Sequence, residues 1–185
     1  MDDLVYREGL YYKKFKDVPF TGNITGETQG TIKNGKEEGP WVSYRDTGLL
    51  EEKGTYKDGK KVGPWVSYHE NGQLLSKGTY KDGYKDGPWV EYYDTGQLFE
   101  KGTYKDGKQV GSWVSYYQYG QLRNKGTYKD GKEEGPWVYH YTNGQLLSNG
   151  NYKDGKKEGI WFDFFDDKGT LWSKGTYEDG KKVGP

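Results

Sequence analysis

A tryptophan recurs at Trp41, Trp65, Trp89, Trp113, Trp137 and Trp161, always 24 residues after the last. A fixed period of this length means stacked supersecondary units, each touching only its neighbours. Every unit contains two turn signals, such as Asn71-Gly72 and Asp82-Gly83, with an apolar or aromatic stretch on either side. No stretch carries a 3.6-residue apolar period free of glycine, so helix finds no support. Two strands and two turns per unit give an all-β fold: a repeat array of antiparallel β-hairpins in 24-residue units. The array is expected to form an elongated twisted sheet or solenoid that advances roughly 10 Å per repeat.

Side chains alternate along a strand. In Trp65-Val66-Ser67-Tyr68 this puts Trp and Ser on one face and Val and Tyr on the other. The returning strand, Leu74 to Tyr80, is expected to place Leu74, Gly78 and Tyr80 on one face. A glycine recurs in that strand at Gly54, Gly78, Gly102, Gly126, Gly150 and Gly175. Glycine weakens a strand, so a recurrent one marks close approach of another group, and here an aromatic ring from the neighbouring strand is expected over the bare backbone. Asn71-Gly72, Asn143-Gly144, Thr47-Gly48 and Thr95-Gly96 are expected to form tight hairpins, and Asp58-Gly59 and its equivalents to open a longer loop ending at Gly-Pro. Pro40, Pro64, Pro88 and Pro136 belong at strand starts on this reading, because proline cannot donate to a ladder. A longer turn at Asp166-Asp167-Lys168 absorbs one extra residue in the last unit.

Residues 1–29 do not follow the period and form an N-terminal cap with a degenerate unit, and residues 30–185 form the array. In the cap, Leu10-Tyr11-Tyr12 and Phe15 suit one strand, and Ile32 takes the place that Tyr holds in later units. At Gly184-Pro185 the pattern calls for a further Trp, so the strand at 175–178 is expected to be an open edge able to recruit another strand, with self-association there as one outcome.

Composition narrows the function. Charged residues make up 30% of the chain but balance, 28 against 28, so no basic face for nucleic acid is implied. Zero cysteine removes disulfides and thiolate chemistry. No apolar run reaches the length of a membrane-spanning helix. His69 and His140 lack partners at metal-ligand spacing, so no metal or other cofactor is expected. Ser67, His69 and Asp58 can be assembled into a triad on paper, but no nucleophile-elbow signal accompanies them. Carboxylate pairs such as Glu37-Glu38 and Glu133-Glu134 sit in turns beside lysines and read as solvated charge.

The segment Gly54-Thr55-Tyr56-Lys57-Asp58-Gly59-Lys60-Lys61-Val62-Gly63-Pro64-Trp65 resembles the MORN repeat in its bacterial variant, as found in the YwqK-type antitoxin-like family. The resemblance covers residues 30–185, and the leader from Leu10 to Gly22 resembles the one that precedes such arrays. Pro after the second glycine, where eukaryotic MORN repeats continue differently, points to the bacterial variant and away from lipid binding. The resemblance implies hairpin arrays without an enzymatic motif. Its proposed roles are protein contact, membrane association in eukaryotic members and toxin neutralisation in bacterial ones. Leaders of this kind often follow a signal peptide, which makes an extracytoplasmic location an expectation beside a cytoplasmic one.

The tryptophans at 41, 65, 89, 113, 137 and 161 read as a structural ladder. The column four residues later, Arg45, His69, Tyr93, Tyr117, Tyr141 and Phe165, changes from polar to aromatic along the array and is the candidate partner-binding surface. The expected function is a non-enzymatic scaffold for protein-protein interaction, with antitoxin or immunity-like neutralisation as its sharper form. The alternatives are a module for cell-wall glycan or choline-type ligands and, third, a lipid-surface binder.

Overall fold

The computed structural model describes residues 3–165 and 169–185, so the turn expected at 166–168 lies outside the described residues. Every regular element among them is a β-strand. The chain divides into two compact units, Met1–Asp86 and Gly87–Pro185. In the first, β1 (Leu4–Arg7) and β2 (Leu10–Lys13) form a hairpin. Next come β3 (Gly22–Ile24), β4 (Thr28–Lys33), β5 (Lys36–Tyr44), β6 (Leu50–Lys57), β7 (Lys60–Tyr68), β8 (Leu74–Lys81) and the short β9 (Tyr84–Lys85). The strands from β3 to β9 pair antiparallel in sequence order. The second unit is a meander of β10 (Gly87–Tyr92), β11 (Leu98–Lys105), β12 (Lys108–Tyr116), β13 (Leu122–Lys129), β14 (Lys132–His140), β15 (Leu146–Lys153), β16 (Lys156–Phe164), β17 (Leu171–Glu178) and β18 (Lys181–Gly184).

The two turn types are the reverse of the expectation. Asp58 and Gly59 both have positive φ, 50° and 79°, and Lys57 pairs directly with Lys60, which makes Asp-Gly a two-residue type I′ hairpin. At the other end, Gly48 N–H donates to Arg45 O while Arg45 N–H donates to Leu49 O, and only the glycine has positive φ. That is a three-residue loop closed by a left-handed glycine. The preceding position needs ordinary φ, so Thr47, Asn71, Thr95 and Tyr119 are all accepted there.

Pro40, Pro64 and Pro136 fall in the middle of their strands rather than at the start, whereas Pro88 is the second residue of β10. Opposite β6, Lys53 pairs with Val66 and Thr55 with Val62, so Gly63, Pro64 and Trp65 together face Gly54. This is a bulge entered through a glycine at φ 65°, where the missing proline N–H breaks no ladder bond. A second irregularity at Ser67/Tyr68 pairs Leu74 with Tyr68 and moves it to the face opposite Gly78 and Tyr80. Phe15 lies outside any strand and is fully exposed.

The core is one aromatic file per unit. A side-chain carbon at Gly30, Gly54, Gly102, Gly126 or Gly150 would overlap the indole of Trp41, Trp65, Trp113, Trp137 or Trp161 respectively. At Gly175 the space is taken instead by the Lys182 stem and the Tyr177 ring. Between successive indoles stands a tyrosine edge. Trp41, Tyr56 and Trp65 meet at centroid distances of 5.2 and 5.1 Å, and Tyr104, Trp113, Tyr128 and Trp137 repeat the arrangement at 5.1, 5.9 and 5.1 Å. Such edge-to-face pairs are each worth about 0.5–1.5 kcal/mol beyond the area they bury. Most indole N–H groups donate to a backbone carbonyl ten residues back, as from Trp137 to Thr127 O at 3.2 Å. Lys61 and Lys157 lie over Trp65 and Trp161, 3.9 and 4.1 Å from the ring centroids. The six ladder tryptophans are between 1% and 8% exposed, so nearly all of their surface goes into packing. In the first unit Ile24 and Ile32 extend the file, with Leu4, Tyr11 and Phe20 packed against them. Tyr11 N–H to Gly35 O and Gly35 N–H to Phe20 O tie that N-terminal segment to the sheet.

Substituting Gly126→Ala puts a methyl group inside the Trp137 ring position without changing any turn. Urea denaturation is expected to show a loss of about 1–3 kcal/mol, the range for overpacking. A change within a few tenths would mean the indole can move aside freely.

Candidate functional site

Register and alternation divide each sheet into two faces. One carries Trp, its glycine and the interleaved tyrosine. On the other, Val42 pairs with Lys53, Lys53 with Val66, and Val66 with Lys77. In the second unit the same row runs Val90, Lys101, Val114, Lys125, Val138, Asn149, Phe162, Lys174. Valine and lysine thus alternate across the strands, with the valines half-buried and Lys53, Lys77, Lys101, Lys125 and Lys174 exposed. Two shallow grooves open along this row. One, of about 610 Å3, is bordered by Pro40, Val42, Lys53, Pro64 and Val66. The other, of about 290 Å3, is bordered by Pro88, Val90, Lys101, Val114 and Lys125. Sequence reasoning put valine on this face but did not single out the lysine beside it. The signal was present in the constant Lys before the ladder glycine, at Lys53, Lys77, Lys101 and Lys125.

The column Arg45, His69, Tyr93, Tyr117, Tyr141 and Phe165 lies at the three-residue turns. Its polar tips are engaged with the next hairpin. Arg45 donates to Tyr68 O at 2.9 Å, Tyr93 to Tyr116 O at 2.9 Å, Tyr117 to His140 O at 2.8 Å and Tyr141 to Phe164 O at 2.9 Å. His69 is half-buried. Phe165 stands apart, 46% exposed, with its ring 5.8 Å from that of Trp172, itself 66% exposed. The column therefore links repeat to repeat over most of its length and presents free rings at Phe165.

The turns at the opposite end are linked the other way, each donating to the preceding hairpin. Gly59 N–H donates to Glu37 O, Gly131 N–H to Gln109 O and Gly155 N–H to Glu133 O. Where a glutamate follows in the earlier strand, its carboxylate accepts from the Asp N–H of the turn, as Glu38 does from Asp58 and Glu134 from Asp154. Ser67 shares a 2.7 Å hydrogen bond with Ser76, which commits its hydroxyl to the sheet. Among the described residues, no group of three His, Asp or Glu side chains is placed to hold a metal ion.

Burial raises several phenols of the Trp face. Tyr128 is pushed up to about 12 by desolvation, reinforced by the nearby carboxylates of Glu133 and Glu100. Tyr11 rises to about 12 from the same cause, with Glu37 beside it. Tyr56 and Tyr139 move further upward, Tyr139 helped by its hydrogen bond to the Tyr152 hydroxyl.

These features define the class: an all-β array of short hairpins with a packed aromatic face and a mixed apolar-cationic face. Four tandem stretches, residues 61–82, 85–106, 109–130 and 133–154, match the family model described as MORN repeat variant. Repeats of that type are in general protein- or membrane-interaction modules. No curated protein matches the chain. A solved structure of a protein of unknown function from Bacteroides fragilis NCTC 9343 is 11% identical, with 86% of this chain and 95% of that one covered at a TM-score of 0.15.

The raised phenols predict alkaline sensitivity. Below pH 10 both folded and unfolded chains keep these protons, and stability is independent of their titration. Between about 10 and 12 the unfolded chain releases them near its ordinary value while the folded one holds the Tyr128 proton. Folding stability therefore falls as pH rises through that window. Urea midpoints are expected to be flat from pH 8 to 9.5 and to drop above 10, with a shallower drop for Tyr128→Phe. Native-state phenolate absorbance that completes near pH 10 for every tyrosine would contradict this.

Proposed function

We propose that this chain is a non-enzymatic scaffold that binds another protein through the sheet face carrying the Val–Lys row. The observation that carries the reading is an accessible apolar surface repeated in each of the two units. Both grooves are bordered by the same columns, Pro or Ser, Val and Lys, with the ladder residues Trp41 and Trp65 or Trp89 and Trp113 also in their lining. A partner laid along this surface would bury proline and valine from several hairpins at once, while the lysines remain at the rim. The match of four units to an interaction-type repeat supports the same direction. Antitoxin or immunity-like neutralisation is the sharper form: an extended face covers a partner's surface without chemistry of its own. The exposed rings of Phe165 and Trp172 offer a second contact at the turn column. Arg45, His69, Tyr93, Tyr117 and Tyr141 border that edge and hold the turns in register.

A glycan or choline platform would require aromatic faces open to the ligand. The ladder tryptophans, at most 8% exposed, do not supply them. This favours the protein-binding reading over that alternative.

Incorporating a photoreactive phenylalanine analogue at Val66 or Val114 in living cells tests the reading. Irradiation is expected to give a discrete protein adduct from either position and none from the turn residue Gln118. Adducts to lipid or glycan alone, or no adduct from either valine, would contradict it.

A further inference from the structure

We infer that the Val–Lys row takes an acidic polyproline-type segment of a partner protein, with a carboxylate at every third residue, running across the strands. This rests on the protein-binding reading above and specifies the chemistry of the partner. The first observation is the charge of the row. Lys53, Lys77, Lys101, Lys125 and Lys174 are exposed and have no hydrogen-bond or ion-pair partner among the described residues. They contrast with Lys61, bonded to Glu52 at 2.7 Å on the aromatic face, and Lys156, paired with Asp179 at the turn. On the row's own face, the place that Val62 holds is taken by an acid at Glu38, Asp86, Glu134 and Glu158. The carboxylates of Glu38, Glu134 and Glu158 accept the turn amides of Asp58, Asp154 and Asp179, and Asp86 is likewise engaged. In each unit the row is therefore a line of unpaired positive charge, in a protein whose net charge is zero.

The second observation is the spacing. Within a unit, Lys53 and Lys77, or Lys101 and Lys125, are two strands apart, and strands lie about 4.8 Å from one another, so the row advances about 10 Å per step, with Asn149 one step and Lys174 two steps beyond Lys125. A polyproline II helix returns to the same edge every three residues after about 9.3 Å. The mismatch of under ~1 Å per step is well within the reach of a four-carbon lysine stem. Residues i, i+3 and i+9 of such a segment therefore meet Lys101, Lys125 and Lys174, with i+6 at Asn149, and the residues between them fall on Val and Pro of the groove. The direction of the row selects the conformation as well. A ligand crossing the strands meets side chains and not a strand edge, so it cannot add main-chain hydrogen bonds to the sheet. Polyproline II is the extended form whose backbone needs none, being fully solvated. Prolines in the segment would pack on Pro88, Val90 and Val114, much as proline-rich ligands use shallow apolar grooves elsewhere. In the second unit the row offers Lys101, Lys125 and Lys174, with Asn149 between the last two as a neutral hydrogen-bonding position.

Each exposed pair contributes little alone, roughly 0–1 kcal/mol, so recognition depends on several pairs made together and weakens with salt. The test uses the full chain and a labelled peptide of four Asp-Pro-Pro repeats, read by fluorescence anisotropy at low salt. A peptide of identical composition with its four aspartates adjacent serves as the comparator. The periodic peptide is expected to bind at least ten times more tightly than the clustered one. Lys101→Glu with Lys125→Glu should lower its affinity at least tenfold, and Lys101→Gln with Lys125→Gln by a smaller factor. Lys129→Glu with Lys132→Glu, at a turn, should leave it unchanged, with circular dichroism confirming the fold of each variant. Equal affinity for both peptides, or indifference to reversal at Lys101 and Lys125, would overturn the proposal. So would lysine-dependent binding to phosphatidylserine vesicles in the absence of peptide binding, which would assign the row to a membrane. Failure of the peptide while Val66 and Val114 still cross-link to protein refutes this partner chemistry alone. Failure of both refutes the protein-binding reading with it.

Discussion

The fold rests on one contact: an indole lying on the bare backbone of a glycine in the preceding strand. Trp137 occupies the space where a side chain of Gly126 would be, and the same holds for Trp65 on Gly54 and Trp161 on Gly150. A single sheet has no second layer to bury an aromatic ring, so the ring must find cover within its own face. The glycine lets it lie flat, tyrosine edges close its two sides, and long side chains such as Lys61 and Lys157 cover the top. The bulge at Gly-Pro-Trp belongs to the same device, since three residues opposite one re-aim the Trp toward that glycine. Repetition then turns a weak unit into a stable one, because each indole is half-enclosed by its neighbours' side chains.

Much of this was legible in the sequence. The 24-residue period and the recurrent glycine pointed to hairpins with a ring over the backbone, and Gly54, Gly126 and Gly150 carry one. What was lost was local. Asp-Gly admits positive φ at both positions and so closes the tight turn, whereas a β-branched Thr before Gly resists it, and that difference distinguished the two turns in advance. Bulges were invisible because they break alternation without changing composition. They moved Leu74 to the other face and let Pro64 sit in mid-strand. The interleaved tyrosines at Tyr56, Tyr104 and Tyr128 also went unread as ladder members, although Tyr recurs every 24 residues from Tyr56 to Tyr152.

For the candidate site the outcome is different in kind. A column that varies along the array, from Arg45 to Tyr141, suggests a reader of partners, yet its tips bond the next hairpin's carbonyls. Arginine and tyrosine are chemically unlike, but both reach that far and end in a donor, so variation there is compatible with one structural task. The Val–Lys row is nearly invariant and drew no notice for that reason. In a repeat lattice a uniform column can be a surface as well as a core, and only pairing and exposure distinguish the two. The two faces thus divide the work: one commits its aromatic area to cohesion, and the other keeps apolar and cationic side chains available.

The central claim is that glycine and indole are coupled as one unit, and a double-mutant cycle on Gly126 and Trp137 measures it directly. Urea denaturation would be run on Gly126→Ala, Trp137→Leu and the two combined. If the ring occupies the place of the missing side chain, alanine at 126 is costly beside Trp137 and nearly neutral beside the smaller leucine side chain of the Trp137→Leu variant. The coupling energy is then above about 1 kcal/mol. Strict additivity, with alanine costing the same in both backgrounds, would contradict the account.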